Sequence, residues 1–392
     1  MSQRDRALDA IREVILSGRI RPGEKTSERK LTETFLGGTD LGRTPVREAL
    51  AVLTEQGVVE QYPQVGFAVR VVDASEARKV LALQRITEGV MVAEAARRRV
   101  DTQALARLDD GLREAAARGK ADQSMNLLRS LHVTLATAAG YDSAAVALGG
   151  FRDRLTLFFV GTAPLRDREL TDVAAHAGQL VDAISADASG DKGIERLDKL
   201  IEIEASLVAA REAAREADLL DAGRLSIEPK TEDLVSIVAT ALGQARALTA
   251  RYPMRLNAPA RLMAFVDSGR IEECVGQMLV NAIKFSEPGR PIDVELSALR
   301  EGAVQLAVRD HGIGLSVAQR ARVFERSFQA DRTSLGGGIG LYLCQRVIQR
   351  LGGSIDVQAP TDGGSRFEIM LPAPVAEAGR EPALAGAAAA RA

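Results

Sequence analysis

Apolar residues follow three different rhythms along the chain. In the first 72 residues, Leu8, Ile11 and Ile15 repeat at helical spacing before Gly18, and Leu31 and Phe35 predict a second short helix over Glu28 to Phe35. A third helix is signalled by Thr44 as N-cap, Pro45 at the first helical position and a stripe of Val46, Ala49, Leu50 and Leu53. Val58 and Val59, a turn around Pro63 to Gly66, and Phe67 to Val69 then read as a two-stranded hairpin. From Glu76 to Ala217 the spacing is helical almost throughout and glycine is sparse. From Asp233 to Pro372, alternating strands, glycine clusters and amphipathic helices replace it, and Ala373 to Ala392 reads as a disordered tail of Ala, Pro, Glu, Gly and Arg. The division is therefore 1–72, 76–217, 218–372 and a tail at 373–392.

Three helices followed by a hairpin wing is the plan of a winged helix-turn-helix, whose third helix presents residues near its N-terminus to the major groove. Composition does not announce such a partner, because 51 Lys+Arg against 53 Asp+Glu leave a net charge of only −2. The distribution is more telling. Residues 19–47 carry Arg19, Arg21, Lys25, Arg29, Lys30, Arg43 and Arg47 against Glu24, Glu28, Glu33 and Asp40, a local excess of positive charge. Aromatics at 4% and the absence of Trp argue against a stacking platform for single-stranded nucleic acid or sugar. The two cysteines, Cys274 and Cys344, exclude a disulfide scaffold and make a cytoplasmic setting the expectation. The charged start MSQRDRALDA does not read as a signal peptide, and the apolar run Leu155 to Leu165 is too short to span a bilayer.

The chemistry is densest in the last third. In EECVGQMLVNAIKF, Val275, Met278, Leu279 and Ala282 share one helical face, while Gln277, Asn281 and Lys284 share the other. A row of two amides and an ammonium suits Mg²⁺ and triphosphate oxygens. Alternation at Ile292, Val294, Leu296 and at Val304, Leu306, Val308 predicts a hairpin that runs into Asp310-His311-Gly312-Ile313-Gly314. Such a carboxylate can accept from an adenine amino group while the glycines let backbone approach the base. Gly336-Gly337-Gly338-Ile339-Gly340 precedes a helix with Leu341, Cys344, Val347, Ile348 and Leu351 inward, a setting for backbone N–H groups to wrap phosphates. Strands around Ile355–Val357 and Phe367–Leu371 complete a sheet.

Three resemblances sharpen these expectations. SGRIRPGEKTSERKLTE, RTPVREALAVLTEQGVVE and GFAV closely resemble the DNA-binding domain of the GntR family of bacterial regulators, over residues 5–70. The resemblance implies that Arg29 grips phosphate and that Arg43 and Arg47 reach bases or phosphates. It also implies that Thr44 bonds the backbone and Gly66 lets the wing approach the minor groove. LGGTDLG before Arg43 is longer than the family's usual turn. LALQRITEGVMVAEAARRRV, LHVTLATAAGY and VAAHAGQLVDAIS resemble the helical sensor of the FCD-type branch, which implies a divalent metal, a small carboxylate effector and a homodimer. His132 and His176 match two of that metal's histidines, but Leu128 stands where an Asp belongs and only Glu202 or Glu204 are near the third position. Finally, NAIKFS, DHGIGL, VFERSF and GGGIGL resemble the N, first glycine, F and second glycine boxes of the histidine-kinase ATP-binding domain, over about 218–372. By that resemblance Asn281 holds Mg²⁺, Lys284 the phosphates and Asp310 adenine. Gly312 and Gly314 line the base, Phe324 and Phe328 anchor a lid, and Gly336, Gly338 and Gly340 close on the phosphates.

The fold class expected is multidomain: a winged helix-turn-helix, an all-α bundle, and an α/β Bergerat-fold ATP-binding sandwich. Two departures bear on activity. Gln277 stands where ATPases of this fold place a general-base Glu, so fast hydrolysis is not expected. His132 and His176 lack the acid and proline that follow a kinase's phosphoacceptor, and only Leu219 to Leu225 resembles the end of its dimerisation hairpin. The reading is a cytoplasmic, membrane-free regulator of double-stranded DNA whose binding responds to ATP and Mg²⁺, with Ile194 to Leu220 as a connecting helix. The alternative is a kinase phosphorylating itself or a partner response regulator, and a third is a dimerisation unit that binds no nucleotide.

Overall fold

The computed structural model describes residues 2–37, 39–62, 66–249, 252–287, 289–328 and 338–373. The chain forms two compact units, 1–215 and 216–392. The boundary falls inside one helix.

The first unit opens with helix α1 (Gln3–Leu16), whose N-cap Ser2 accepts from the Asp5 backbone while Asp5 accepts from Ser2 in return. Strand β1 (Lys25–Thr26) leads to the short α2 (Glu28–Lys30), which continues as a π-helical turn over Leu31–Phe35. Helix α3 (Arg43–Glu55) buries Val46, Ala49, Leu50 and Leu53, the stripe expected of it. It begins earlier than expected. Gly42 is the N-cap, so Thr44 is inside the helix and Pro45 is its third residue. Pro45 there still costs no hydrogen bond, because the first four N–H groups of a helix have no intrahelical acceptor. Strands β2 (Val59–Tyr62) and β3 (Gly66–Val69) make the wing, and β1 adds a third strand, in the order β1-β3-β2. That third strand is only two residues long, too short for a periodic signal.

Five helices follow: α4 (Ala74–Arg98), α5 (Gln103–Ala117), α6 (Ala121–Ala138), α7 (Asp142–Thr162) and α8 (Asp167–Ala186). Helix α9 runs over Asp191–Asp221, so the connecting helix is longer than the span read from its composition. The extended turn LGGTDLG is tied down within this unit, since Arg6 on α1 makes a two-bond ion pair with Asp40 and Leu41 is buried.

The second unit is a mixed sheet with helices. Strands β5 (Met254–Asn257), β7 (Ile292–Ala298), β8 (Val304–Arg309), β9 (Ser354–Gln358) and β10 (Arg366–Leu371) lie in the order β5-β7-β8-β10-β9. Among the described residues only β5 and β7 pair in parallel. A separate pair joins β4 (Lys230–Asp233) to β6 (Met263–Val266). Helices α10 (Leu234–Leu248), α11 (Ser268–Phe285), α12 (Val317–Arg320) and α13 (Gly340–Arg350) complete it. The alternate residues Ile292, Val294, Leu296, Val304, Leu306 and Val308 join Val275, Met278 and Leu279 of α11 and Val347 and Ile348 of α13 in one core. Each such side chain, fully buried, contributes about 1.5–3 kcal/mol, which fixes the faces that α11 and α13 leave for chemistry.

Candidate functional sites

Helix α11 buries Ile271, Cys274, Val275, Met278, Leu279 and Ala282, and this turns Gln277, Asn281 and Lys284 to the other side. Gln277 and Asn281 are half-buried, and the Gln277 amide donates to Asn281 Oδ1 at 3.4 Å. Lys284 is exposed, with its Nζ 5.2 Å from the centre of the Phe285 ring. Helix α13 begins directly against this row, since a Cβ built on Gly340 would lie 2.3 Å from the Gln277 side chain. A side chain at 340 would therefore have to displace the Gln277 amide. Gly338 has φ +63°, and a Cβ there would meet Phe328 O at 2.3 Å. Gly336 lies outside the described residues.

Asp310 ends up 4% exposed at the end of β8. Its Oδ1 accepts from Gly312 N at 2.9 Å, and its own N–H donates to Ser365 O at 2.9 Å. Burial pushes the Asp310 carboxyl up, against the bonds from Gly312 and Ser365 that favour its ionised form. Gly312 bridges to Ser286, just past the end of α11, and a Cβ there would lie 1.8 Å from Phe285 O. Gly314, with φ +69°, would meet Gly364 O at 2.9 Å. The structure thus brings the Asn281 helix and the Asp310 loop together through backbone. Two positions that sequence reading passed over belong here, Ser286 and Ser365. Among the described residues, the buried polar side chains of this unit are Ser286, Asp310 and Ser365. Ser286 Oγ and His311 Nδ1 are buried without a protein partner, while His311 Nε2 pairs with Asp293 at 3.1 Å. Polar atoms left this way fit a site that a polar ligand completes. The only sequence signal for the two serines was their place within the segments NAIKFS and GSRF.

Phe324 and Phe328 pack partly buried against the core, with Phe324 edge-on to Phe367 at 6.3 Å. Close by in sequence, Arg326 pairs with Asp218 at 2.5 Å. Tyr342 Oη donates to Asp221 at 2.7 Å, and Arg346 Nε bonds the same carboxylate at 3.2 Å. Together these side chains hold the last turn of α9.

In the first unit, Arg43, Thr44 and Arg47 are exposed at the start of α3. Arg47 makes a two-bond pair with Glu28, at 2.8 and 3.0 Å, and that bond holds the Glu28 carboxyl below its ordinary range. Arg29 pairs with Glu33 at 3.2 Å. Gly66 has φ +107°, and a Cβ there would lie 2.6 Å from Thr26 O, so β1 demands this glycine. Of the arginines expected at DNA, Arg29 and Arg47 are thus each paired with a carboxylate, and Arg43 is exposed at the start of α3.

The bundle interior differs from expectation. His132 is fully buried on α6, and its Nδ1 bonds Glu88 of α4 and lies 3.5 Å from the Gln84 amide. His176 is half-buried on α8 and bonds the Asp172 carbonyl at 2.9 Å. Among the described residues no group of three or more His, Cys, Asp or Glu side chains could hold a metal ion. A guanidinium stands in the cluster instead. Arg152 of α7, fully buried, bonds Glu204 of α9 at 2.7 Å and approaches Gln84 at 3.5 Å. A fixed cation next to Glu88 and His132 opposes a divalent ion. The donor set for the expected divalent metal does not fit. Burial pushes the Glu88 carboxyl up, but the charge and bond of His132, with Gln84 and Arg152, outweigh this and hold it low. The next residue on α7, Asp153, accepts from Arg12 of α1 at 3.0 Å and from Arg129 of α6 at 2.6 Å.

Among the described residues no helix is long and apolar enough to cross a membrane. Residues 3–69 match the bacterial regulatory proteins of the gntR family, and residues 266–375 match the histidine kinase-, DNA gyrase B-, and HSP90-like ATPase family. The chain is 34% identical over 157 residues to the alginate biosynthesis sensor protein KinB of Pseudomonas aeruginosa, covering 38% of this chain and 26% of the relative. It is 30% identical over 206 residues to the sensor-like histidine kinase SenX3 of Mycobacterium tuberculosis, covering 50% of this chain and 49% of the relative. E. coli McbR/YncC superposes on 54% of this chain and 99% of its own with a TM-score of 0.47 and 19% identity. The chain spans between a quarter and a half of the length of the curated relatives it matches. The polypeptide joins a gntR-family regulatory domain to a histidine kinase-, DNA gyrase B- and HSP90-like ATPase domain.

Proposed function

We propose that the chain is a DNA-binding regulator whose affinity for its operator is set by ATP and Mg²⁺ in the C-terminal domain. The observation that carries this reading is the convergence of Ser286, Asp310 and Ser365, the buried polar residues of the second unit, on the loop at Gly312. In this reading Asp310 receives the adenine amino group, and Gly312 and Gly314 lie under the base. Lys284 faces the phosphates with Gly336, Gly338 and Gly340, while Asn281 supplies an amide oxygen for Mg²⁺, a hard cation that prefers oxygen donors. The bound ion would neutralise phosphate charge. Gln277 is packed on Gly340 and carries no basic group, so the site holds nucleotide with slow turnover.

Arg43, Thr44 and Arg47 of α3 would enter the major groove, Arg29 would bind phosphate, and the wing at Gly66 would reach the minor groove. The boundary between the two units falls within α9. Nucleotide couples to DNA only to the extent that it binds the DNA-competent and DNA-incompetent states unequally, and a tenfold change in operator affinity needs about 1.4 kcal/mol. The test is operator affinity, on a duplex selected by the protein, with and without ATP–Mg²⁺. A shift that Asn281→Ala abolishes supports the reading, and superimposable curves overturn it.

A second reading, a kinase acting on a separate protein, draws support from the similarity to sensor kinases. His132 is fully buried and His176 half-buried, which weighs against self-phosphorylation on either. Labelled ATP with an added response regulator separates the two readings. A small carboxylate effector in the bundle draws support from Arg152 Nε and Nη2 and His132 Nε2, which are buried without a protein partner beside the bonds to Glu204 and Glu88.

A further inference from the structure

Within the first unit, a cavity of about 410 Å³ lies between the end of α1 and the helical bundle, and neither DNA nor nucleotide binding uses it. Small-molecule sites run from about 300 to 1,000 Å³. Its walls come from both parts of the unit. Pro22 follows α1, Met125 is on α6, Phe159 is on α7 and Leu165 lies between α7 and α8, so the body of the cavity is apolar. Two glycines bring the opposite walls together at one side. A Cβ on Gly18 would lie 3.1 Å from Val160, and one on Gly161 would lie 3.2 Å from Pro22.

The polar side chains of the wall are mostly acceptors. Ser17 donates its hydroxyl proton to Val14 O at 3.3 Å, and Thr156 donates its own to Arg152 O at 2.9 Å. Both hydroxyls can then only accept from an occupant. Asp122, in the first turn of α6, makes no hydrogen bond or ion pair among the described residues, and burial alone pushes its carboxyl up. The helix dipole favours an acid at that place, but a helix N-terminus carries only about half a positive charge against the full charge of a carboxylate. Glu13 adds a second acid, lining the adjoining groove with Asp122. Arg21 also borders the cavity, exposed to solvent and unpaired with Asp122. The end of the cavity at Asp122 is therefore negative.

We propose that this cavity binds an organic ammonium, with the protonated amine on Asp122 and an aliphatic or aromatic body against Met125 and Phe159. An ammonium brings donors and no acceptor, which answers a carboxylate and two hydroxyls whose protons are spent. A carboxylate ligand would face Asp122 with nothing to donate. Because α1 supplies one wall and α6 and α7 the other, the occupant touches the DNA-binding region and the bundle together. The site goes beyond the regulator reading and does not rest on it.

The experiment uses the full chain without DNA or nucleotide. The probe is 4-phenylbutylamine, set against 4-phenylbutanol and 4-phenylbutyrate, which keep the body and change the head group. Calorimetry should show one saturable site for the amine, with a dissociation constant of about 1 mM or below. The alcohol should bind about tenfold more weakly and the acid more weakly still. Asp122→Asn should weaken the amine about tenfold or more. Asp122→Lys should reverse the order, so that the acid binds better than the amine. The position is exposed, so both variants should keep the circular dichroism of the wild type. No saturable binding of the amine, equal affinity for the amine and either analogue, or an amine affinity unchanged in Asp122→Asn, each overturns the proposal. Operator affinity with and without ATP–Mg²⁺ tests the regulator reading separately, so either can fail without the other.

Discussion

The interior of the helical unit holds Glu88, His132, Arg152, Asp153 and Glu204, each almost completely removed from water. The interior of the nucleotide unit is apolar around its sheet, and its buried polar residues, Ser286, Asp310 and Ser365, collect at one edge. Buried charges tolerate little movement, because each depends on a partner at a fixed distance. The arrangement on α7 follows this logic. Arg152 faces the bundle centre while the adjacent Asp153 grips Arg12 of the DNA-binding region, and Arg12 in turn bonds Gln56 at the end of α3. The helical unit is built to hold one geometry. In the nucleotide unit, by contrast, Arg326 and Arg346 pair with Asp218 and Asp221 at the surface, where ion pairs are weak and adjustable.

The contrast can be broken most forcefully at Arg152. Arg152→Met leaves Glu204 buried without its cation, and urea unfolding should show a loss of about 3–5 kcal/mol. A loss under 1 kcal/mol would show that the cluster is not rigidly interdependent. Next in size is Asp310→Asn. It should lower affinity for ATP by about ten- to a hundredfold, in line with about 1.5–3 kcal/mol for a bond to a charged group, read by calorimetry. Because burial raises the Asp310 carboxyl, its ionisation costs stability at neutral pH, so the same variant should melt no lower than the wild type.

A pH titration sharpens the comparison further. Glu169 is buried between Arg211 and Arg166, whose bonds outweigh the upward push of burial and bring it from 4.5 down to about 2. The folded form therefore holds this proton less tightly than the unfolded chain, and the stability gained is complete above 4.5 and lost as pH falls through about 2. Glu169→Gln should flatten acid unfolding of the helical unit in that window, leaving the curve above it parallel to the wild type. The smallest effect is expected at the surface. Glu28→Gln frees Arg47, and duplex affinity should rise only about two- to fivefold, as for an exposed pair worth about 1 kcal/mol or less.

Much of this was legible from residue order. The face of α11 that carries Asn281 and Lys284 follows from Val275, Met278, Leu279 and Ala282, since a helix with one apolar stripe has one free side. The alternation in β7 and β8 delivered Asp310 to the end of a strand for the same reason. The start of α3 was misplaced by a few residues, because Thr44-Pro45 carries a strong local preference that the backbone at Gly42 overrode. Strand β1 gave no signal, because a strand two residues long is defined by its neighbour and not by its own pattern.

The sequence by itself determined which segments form helices and strands, where the glycines cluster and which side chains share a helix face, because these depend on neighbours a few residues apart. Only the tertiary structure decided that Gly312 is crowded by Phe285, that Gly340 is crowded by Gln277, and that Ser286 and Ser365 join Asp310. The same holds in the bundle. His132 looked like half of a metal site until the packing of α4, α6, α7 and α9 set Glu88, Arg152 and Glu204 around it. Contacts between residues tens of positions apart are set by how whole elements pack, and the chemistry of a buried group depends on those contacts.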